Sequence, residues 1–381
     1  MPSTTRRLNS LTSLRYFGAL VVVVAHVNPQ YLTSPVLRAT AYYGFVGVSF
    51  FYLLSGFVLT WSCSQQAATR FWWNRFSRIW PLQATMMVAA YLFFWHLERH
   101  PGPTGFVLQS LLLQAWDPNP NVYAGGDGPV WSLSCEMFFY AMFPLLILLV
   151  LRMRARGLTI TAVAVIAVTT VVPVVVAPHV SAATYTWLFF YSPGYRIGEF
   201  IIGMLLARAV ALGLRFPSPS VGYLLGWAGL ATWAVGLTEY SLSHGAVPRP
   251  FVPLLAMPCF ALLLIAGASA DLSGHARVMG GWLPVRLGEW SFALYLVHPL
   301  LASVVRTHHW LAGSSAPADF GYLLVFIAAA TLVAAAAHYT IEKPVERWLR
   351  RQYPGSQTAP RHRKDALRPA AEAVSSSSAA S

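Results

Sequence analysis

The sequence has little charge, and the charge it has is mostly of one sign. Asp, Glu, Lys and Arg make up only 10% of its 381 residues, against about 25% in an average soluble domain, which excludes an ordinary soluble fold. Acidic residues number 13 against 26 basic ones, giving a net charge of +13, and only Lys343 and Lys364 among the basic residues are lysines. Cysteine is scarce as well. Cys63, Cys135 and Cys259 fall in or beside separate apolar segments, which is neither a disulfide framework nor a metal-ligand spacing. No metal is expected.

In place of charge the chain has apolar length: 56% of its residues are hydrophobic, and its mean hydropathy is +0.54. Ten segments are long enough to cross a hydrocarbon core of about 30 Å, near 9–29, 41–61, 80–97, 130–151, 158–178, 185–207, 221–238, 251–269, 285–305 and 320–340. The expected fold is an all-α integral membrane protein, a bundle of about ten transmembrane helices with both termini cytoplasmic. The first segment runs into Asn28-Pro29 without a small-residue cleavage site, so it reads as a span and not as a removable signal peptide.

The basic residues orient the bundle. With the N-terminus inside, 21 of the 26 fall on the cytoplasmic side, Arg38, Arg99, Arg249 and Arg306 fall outside, and Arg196 is mid-span. That is the positive-inside distribution, and the expected location is the plasma membrane. The positive charge then reads as orientation signal and attraction to anionic lipid, not as a nucleic-acid footprint. Residues 1–351 read as one ten-span domain. Residues 352–381, with Pro354-Gly355, Arg361 to Lys364 and the Ser375 to Ser378 run, read as a basic, disordered cytoplasmic tail. No soluble catalytic domain is expected.

The first span carries Arg15 near one end and His26 toward the other. At 100° per residue their separation closes to about 20° past three turns, so both lie on one helix face, roughly 16 Å apart. Ionisable groups inside a membrane are costly and mark function by default. A neutral imidazole can act as a general base, whereas Arg15 is also near enough to the boundary to snorkel. Arg75 and Arg78, in Phe71-Trp-Trp-Asn-Arg75-Phe-Ser-Arg78-Ile-Trp-Pro81, share a face at i, i+3; they suit phosphate recognition or simple positive-inside anchoring. Glu136, inside the fourth span, could orient or charge-balance His26, bind acceptor hydroxyls, or pair structurally with an arginine. Arg196 and Glu199 read as a structural pair, His298 as a second functional candidate, and Glu342-Lys343-Pro344 as a cap at the end of the last span. A phosphorylated donor entering past the arginines and an acceptor activated at His26 would fit this layout.

Taken together, these segments resemble the membrane acyltransferase 3 family, in that family's motif order across nearly the whole chain. The matching stretches are Leu11 to His26, Gly47-Val48-Ser-Phe50-Phe51-Tyr-Leu-Leu-Ser55-Gly56-Phe57, and Arg75-Phe-Ser-Arg78-Ile-Trp-Pro81. Then follow Trp131 to Glu136 with Phe139-Tyr140, Gly288-Glu-Trp-Ser291 with Tyr295-Leu-Val-His298, and Ile341-Glu342-Lys343-Pro344. Thr12 is a departure, since many members have an acidic residue before the arginine. The resemblance implies a ten-helix bundle, a cytoplasmic acyl-CoA donor, and acyl transfer to a hydroxyl on a carbohydrate, lipid or secondary metabolite such as a macrolide. It implies His26 as the catalytic histidine, Arg15 as its required partner, Arg75 and Arg78 at the CoA moiety, and Glu136 as a further motif acid. It also implies the stand-alone form, without the hydrolase-like domain that some members carry.

The expected reaction is O-acylation, with direct transfer and an acyl-histidine intermediate both open, and with Ser132, Ser134 or Tyr140 as candidate oxyanion donors. The competing reading is a transporter or flippase for a glycan or lipid-linked substrate, whose buried polar groups would line a pathway. No internal repeat between the two halves favours it.

Overall fold

A computed structural model of the protein describes residues 7–27, 34–63, 67–95, 102–125, 128–307 and 316–354. Arg6, Asn28-Pro29, Arg99, Gly126-Asp127 and the tail from 355 onward lie outside the described residues.

Among the described residues the chain is helical, with no strand. The first half comprises α1 (Asn9–His26), α2 (Pro35–Tyr42), α3 (Val46–Trp61), α4 (Ala68–Trp95), α5 (Gly102–Ser110), α6 (Pro120–Tyr123), α7 (Trp131–Arg152) and α8 (Ala155–Val176). The second comprises α9 (Ala182–Thr186), α10 (Pro193–Ala211), α11 (Pro219–His244), α12 (Phe251–Ser273), α13 (Trp282–Thr307), α14 (Ala316–Ala337) and α15 (Lys343–Gln352). Two π-helical turns interrupt the pattern, Trp187–Tyr191 before α10 and His338–Glu342 between α14 and α15.

The described residues of each of the ten expected spans lie mainly on helix. Among the described residues seven stretches are long and apolar enough to cross a membrane: Arg38–Trp61, Gly128–Arg152, Ala155–His179, Pro219–His244, Phe251–Ser273, Trp282–Val305 and Ala318–Gln352. The other three expected spans fall on α1, α4 and α10, and these helices carry Arg15 and His26, Arg75 and Arg78, and Arg196 and Glu199. Where the bundle meets its surroundings it is apolar: α8 presents Ile160, Val163, Ile166, Val171 and Val174 outward, which hydrocarbon accommodates and water does not.

The third expected span starts earlier than hydropathy suggests. Arg70 to Ile79, ahead of the expected span 80–97, forms the first turns of α4, and Pro81 sits inside that helix. Proline removes one backbone donor and strains the preceding turn; the helix continues because Phe71 and Ile79 are buried in the bundle core. Arg75 and Arg78 thereby lie on one helix, as their i, i+3 spacing implies.

α3 lies at the centre, packed against α10, α1 and α12, while α13 lies along α1. Two crossings bring backbones together. A Cβ on Gly203 would overlap the Leu53 carbonyl and one on Gly56 the Phe200 carbonyl, so α3 and α10 touch main chain to main chain; a Cβ on Gly288 would overlap the Thr12 carbonyl where α13 meets α1. Close approach through small residues is the packing expected where no hydrophobic effect drives helices together. Gly203→Ala should therefore destabilise the folded bundle by about 1–3 kcal/mol. Gly236→Ala, at a position with open space around the new methyl, should be neutral or stabilising by up to about 1 kcal/mol. Thermal unfolding of the two variants in one detergent checks the contrast; equal stability would contradict the tight crossing.

Candidate active site

Three cavities follow one another along the face of α1 that carries Arg15 and His26. The first, of about 430 Å³, is lined by Arg7, Arg15, Arg78, Lys343, His338 and Glu342 among others. The second is narrow, about 80 Å³, and is lined by Arg15, Arg75, Arg78, Glu136, Tyr140 and Ser132 with apolar neighbours. The third, about 450 Å³, is lined by His26, Trp131, Phe190, Tyr191, Arg249 and Tyr295 among others. Arg15, Val58 and Arg78 border both the first and the second, and Val48 and Tyr295 border both the second and the third. We refer to them as the mouth, the neck and the chamber.

The two π turns serve the wide ends. An inserted residue rotates the wall that follows it, and such bulges gather at functional sites. The Trp187–Tyr191 turn delivers Phe190 and Tyr191 to the chamber, and the His338–Glu342 turn delivers its two end residues to the mouth. Glu342 makes no capping hydrogen bond; it pairs with His338 Nδ1 at 2.8 Å, both side chains buried, so the expected cap is instead part of a cavity wall.

In the mouth, Glu289 is held by Arg7 at 3.1 Å and Arg286 at 2.8 Å, and Glu346 by Arg350. Among the described residues Arg15, Arg78 and Lys343 have no ion-pair partner, and the Nε atoms of Arg15 and Arg75 are buried without a hydrogen-bond acceptor. Uncompensated cations in a partly buried site favour an anionic ligand.

In the neck, Glu136 accepts hydrogen bonds from Ser55 Oγ at 3.2 Å and from the Tyr140 hydroxyl. It shares the neck with Arg15, Arg75 and Arg78 but forms no ion pair with them, and it does not line the chamber that holds His26. Both an orienting contact to His26 and a structural arginine pair give way to this two-hydroxyl cradle. Ser132 Oγ and the Tyr295 hydroxyl lie 2.6 Å apart and both reach the Pro129 carbonyl, at 3.1 and 2.8 Å. They cross the boundary between neck and chamber. Ser134 lines none of the three cavities, and its hydroxyl accepts the Ala115 amide.

In the chamber, His26 Nδ1 lies 2.8 Å from the Val22 carbonyl one turn back. A carbonyl only accepts, so in the neutral ring Nδ1 carries the proton and Nε2 is left basic. His298 is fully buried, with Nδ1 held the same way by the Leu294 carbonyl at 3.0 Å, and its ring meets that of His26 edge-on at 5.1 Å. His298 Nε2 has no hydrogen-bond partner. Sequence reasoning marked both histidines but not their contact. Arg196 and Glu199 form their expected buried pair at 3.2 Å, and Arg196 also donates to Ser49; they line none of the three cavities.

A profile for an acyltransferase domain, that of the acyltransferase 3 family, matches residues 8–339. The chain belongs to this family. It is similar to the acyltransferase MdmB of Streptomyces mycarofaciens, at 35% identity across 94% of this chain and 97% of the relative. It is also similar to the exopolysaccharide production protein ExoZ of Rhizobium meliloti, at 29% identity across 80% of this chain and 90% of ExoZ. A shorter match, 28% identical over 38% of this chain, joins it to the peptidoglycan O-acetyltransferase OatA of Listeria monocytogenes, of which it covers 24%. No solved structure matches. The protein is thus an acyltransferase, and its apolar helices and family make it a multi-pass membrane enzyme; the transport reading is set aside.

Proposed function

We propose that this acyltransferase moves an acyl group from cytoplasmic acyl-CoA to a hydroxyl of a carbohydrate or of a secondary metabolite such as a macrolide, with His26 as general base. The observation that carries the proposal is the file of cavities. A donor with a phosphorylated nucleotide, a thin flexible arm and a terminal thioester has the same sequence of parts as a cationic mouth, a neck of about 80 Å³ and a chamber with a basic nitrogen. Arg15 and Arg78, with Arg75 deeper in the neck, would hold phosphate oxygens by charge-assisted hydrogen bonds. The arm would thread past Ser55, Glu136 and Ser132. The reach from Arg15 to His26, roughly 16 Å along α1, is of the order that the pantetheine arm spans.

In the chamber the acceptor hydroxyl gives its proton to His26 Nε2 as its oxygen attacks the thioester carbonyl. The tetrahedral oxyanion collapses, the C–S bond breaks, and the thiolate takes the proton from the imidazolium. The Val22 carbonyl keeps the ring in the reactive tautomer through Nδ1, and His298 packs against the ring and limits its rotation. The relatives support this reading: a peptidoglycan O-acetyltransferase and an exopolysaccharide production protein lie among them.

With purified protein in lipid nanodiscs and acetyl-CoA as donor, His26→Ala should lower the rate of acyl transfer by about 10²–10⁴-fold while leaving the protein folded. Mass spectra of host envelope and metabolites, compared with and without the protein, identify the acetylated product. Retention of activity by His26→Ala would remove the histidine from the chemistry. The arginines are tested with a truncated donor. Wild type should prefer acetyl-CoA to S-acetylpantetheine, and Arg78→Gln should shrink that preference about tenfold through KM for acetyl-CoA, as expected for loss of one charged contact. An unchanged preference would place the nucleotide elsewhere.

A further inference from the structure

The chamber contains a cation that the reaction does not use. Arg249, in the turn before α12, lines the same cavity as His26; among the described residues it is the one Lys or Arg there, and no Asp or Glu lines the cavity. The guanidinium sits over three aromatic rings from three parts of the chain: Tyr42 at 5.7 Å, Phe45 at 6.0 Å and Phe190 at 5.2 Å. The phenols of Tyr42 and Tyr191 lie beside it. Among the described residues it has no ion-pair partner.

This arrangement fixes the cation without neutralising it. Rings at these distances attract a guanidinium through their faces without accepting its N–H groups, so the donors that the phenols of Tyr42 and Tyr191 do not take are left for a ligand. The N-terminus of α12, two residues on, adds partial positive charge. When an acceptor fills the chamber it displaces water from Arg249. A neutral acceptor would leave that charge desolvated and unpaired, and a cationic one would be repelled and would find the aromatic cage already occupied. An anionic acceptor supplies the missing counter-charge.

We propose that Arg249 is an acceptor-binding residue, and that the acceptor carries an anionic group, a carboxylate or a phosphate ester, which Arg249 holds while the reacting hydroxyl reaches His26. The proposal rests on the reading of the chamber as the acceptor side, and its test is a binding measurement without donor, so that it fails or stands independently of the acyl-transfer experiments. The full chain in lipid nanodiscs is probed by saturation-transfer NMR with methyl β-glucuronoside, methyl β-glucoside and inorganic phosphate. A glucuronoside or phosphate signal about tenfold tighter in affinity than the glucoside is expected, the scale of one charge-assisted contact. Arg249→Gln should abolish that advantage. Phosphate also has sites in the mouth, so only the part of its signal lost in Arg249→Gln counts. A response confined to the glucuronoside identifies a carboxylate acceptor, and one confined to phosphate identifies a phosphate ester. Arg249→Lys, which keeps the charge but loses the fork, should retain a weaker preference and serves if the glutamine variant does not fold. Equal binding of glucuronoside and glucoside by wild type together with no Arg249-dependent phosphate signal, no signal from either anion, or an anion preference unchanged in Arg249→Gln would each overturn the proposal.

Discussion

Positive charge held inside an apolar bundle is the constraint on which this structure turns. Each buried cation must be compensated by a carboxylate or by a ligand, with aromatic faces holding it in place, because the surroundings solvate it poorly. Arg196 is compensated within the fold by Glu199, Ser49 and the rings of Tyr52, Trp131 and Phe190. It is accordingly structural and faces none of the three cavities. Among the described residues Arg15 and Arg78 have no such partners and Arg75 has only the Phe71 ring, and all three border the cavities. The difference between the two groups separates scaffold from site.

The neck follows from the same constraint. Glu136 is the carboxylate placed among those arginines, yet it is bound by Ser55 and Tyr140 and makes no ion pair. A full ion pair across the neck would narrow it further and cancel positive charge that the proposed donor path relies on. Held by hydroxyls, Glu136 moderates the field of the arginines while the passage stays narrow and polar. The helices that form it are tightly set, with α3 against α10 and α1 against α13 at backbone contact, so the wall positions are fixed by main chain and not by mobile side chains.

Much of this was legible in the sequence. Apolar length located the long helices, seven of which among the described residues can cross a membrane, and the eleven-residue interval on α1 placed Arg15 and His26 on a common face. The i, i+3 spacing of Arg75 and Arg78 put them together, although their polarity hid the start of α4 at Ala68. What could not be read depends on contacts between distant segments. His298 meets His26 because α13 lies along α1, and the cage around Arg249 draws on α2, the turn before α3 and a π turn. The partners of Glu136 were half visible: Tyr140 is one turn away, but Ser55 comes from another helix. Glu342 read as a helix end because Pro344 follows it, whereas a π turn carries the chain onward into α15.

The central claim is that one passage joins the arginines to His26 and that the donor lies along it. A cryo-electron microscopy map of the protein in nanodiscs with a non-hydrolysable thioether analogue of acetyl-CoA tests it most directly. The account predicts phosphate density beside Arg15 and Arg78, the arm running between Glu136 and Ser132, and the acyl carbonyl carbon facing His26 Nε2. Density for the analogue outside the neck, or an acyl end that does not reach the chamber, would contradict it.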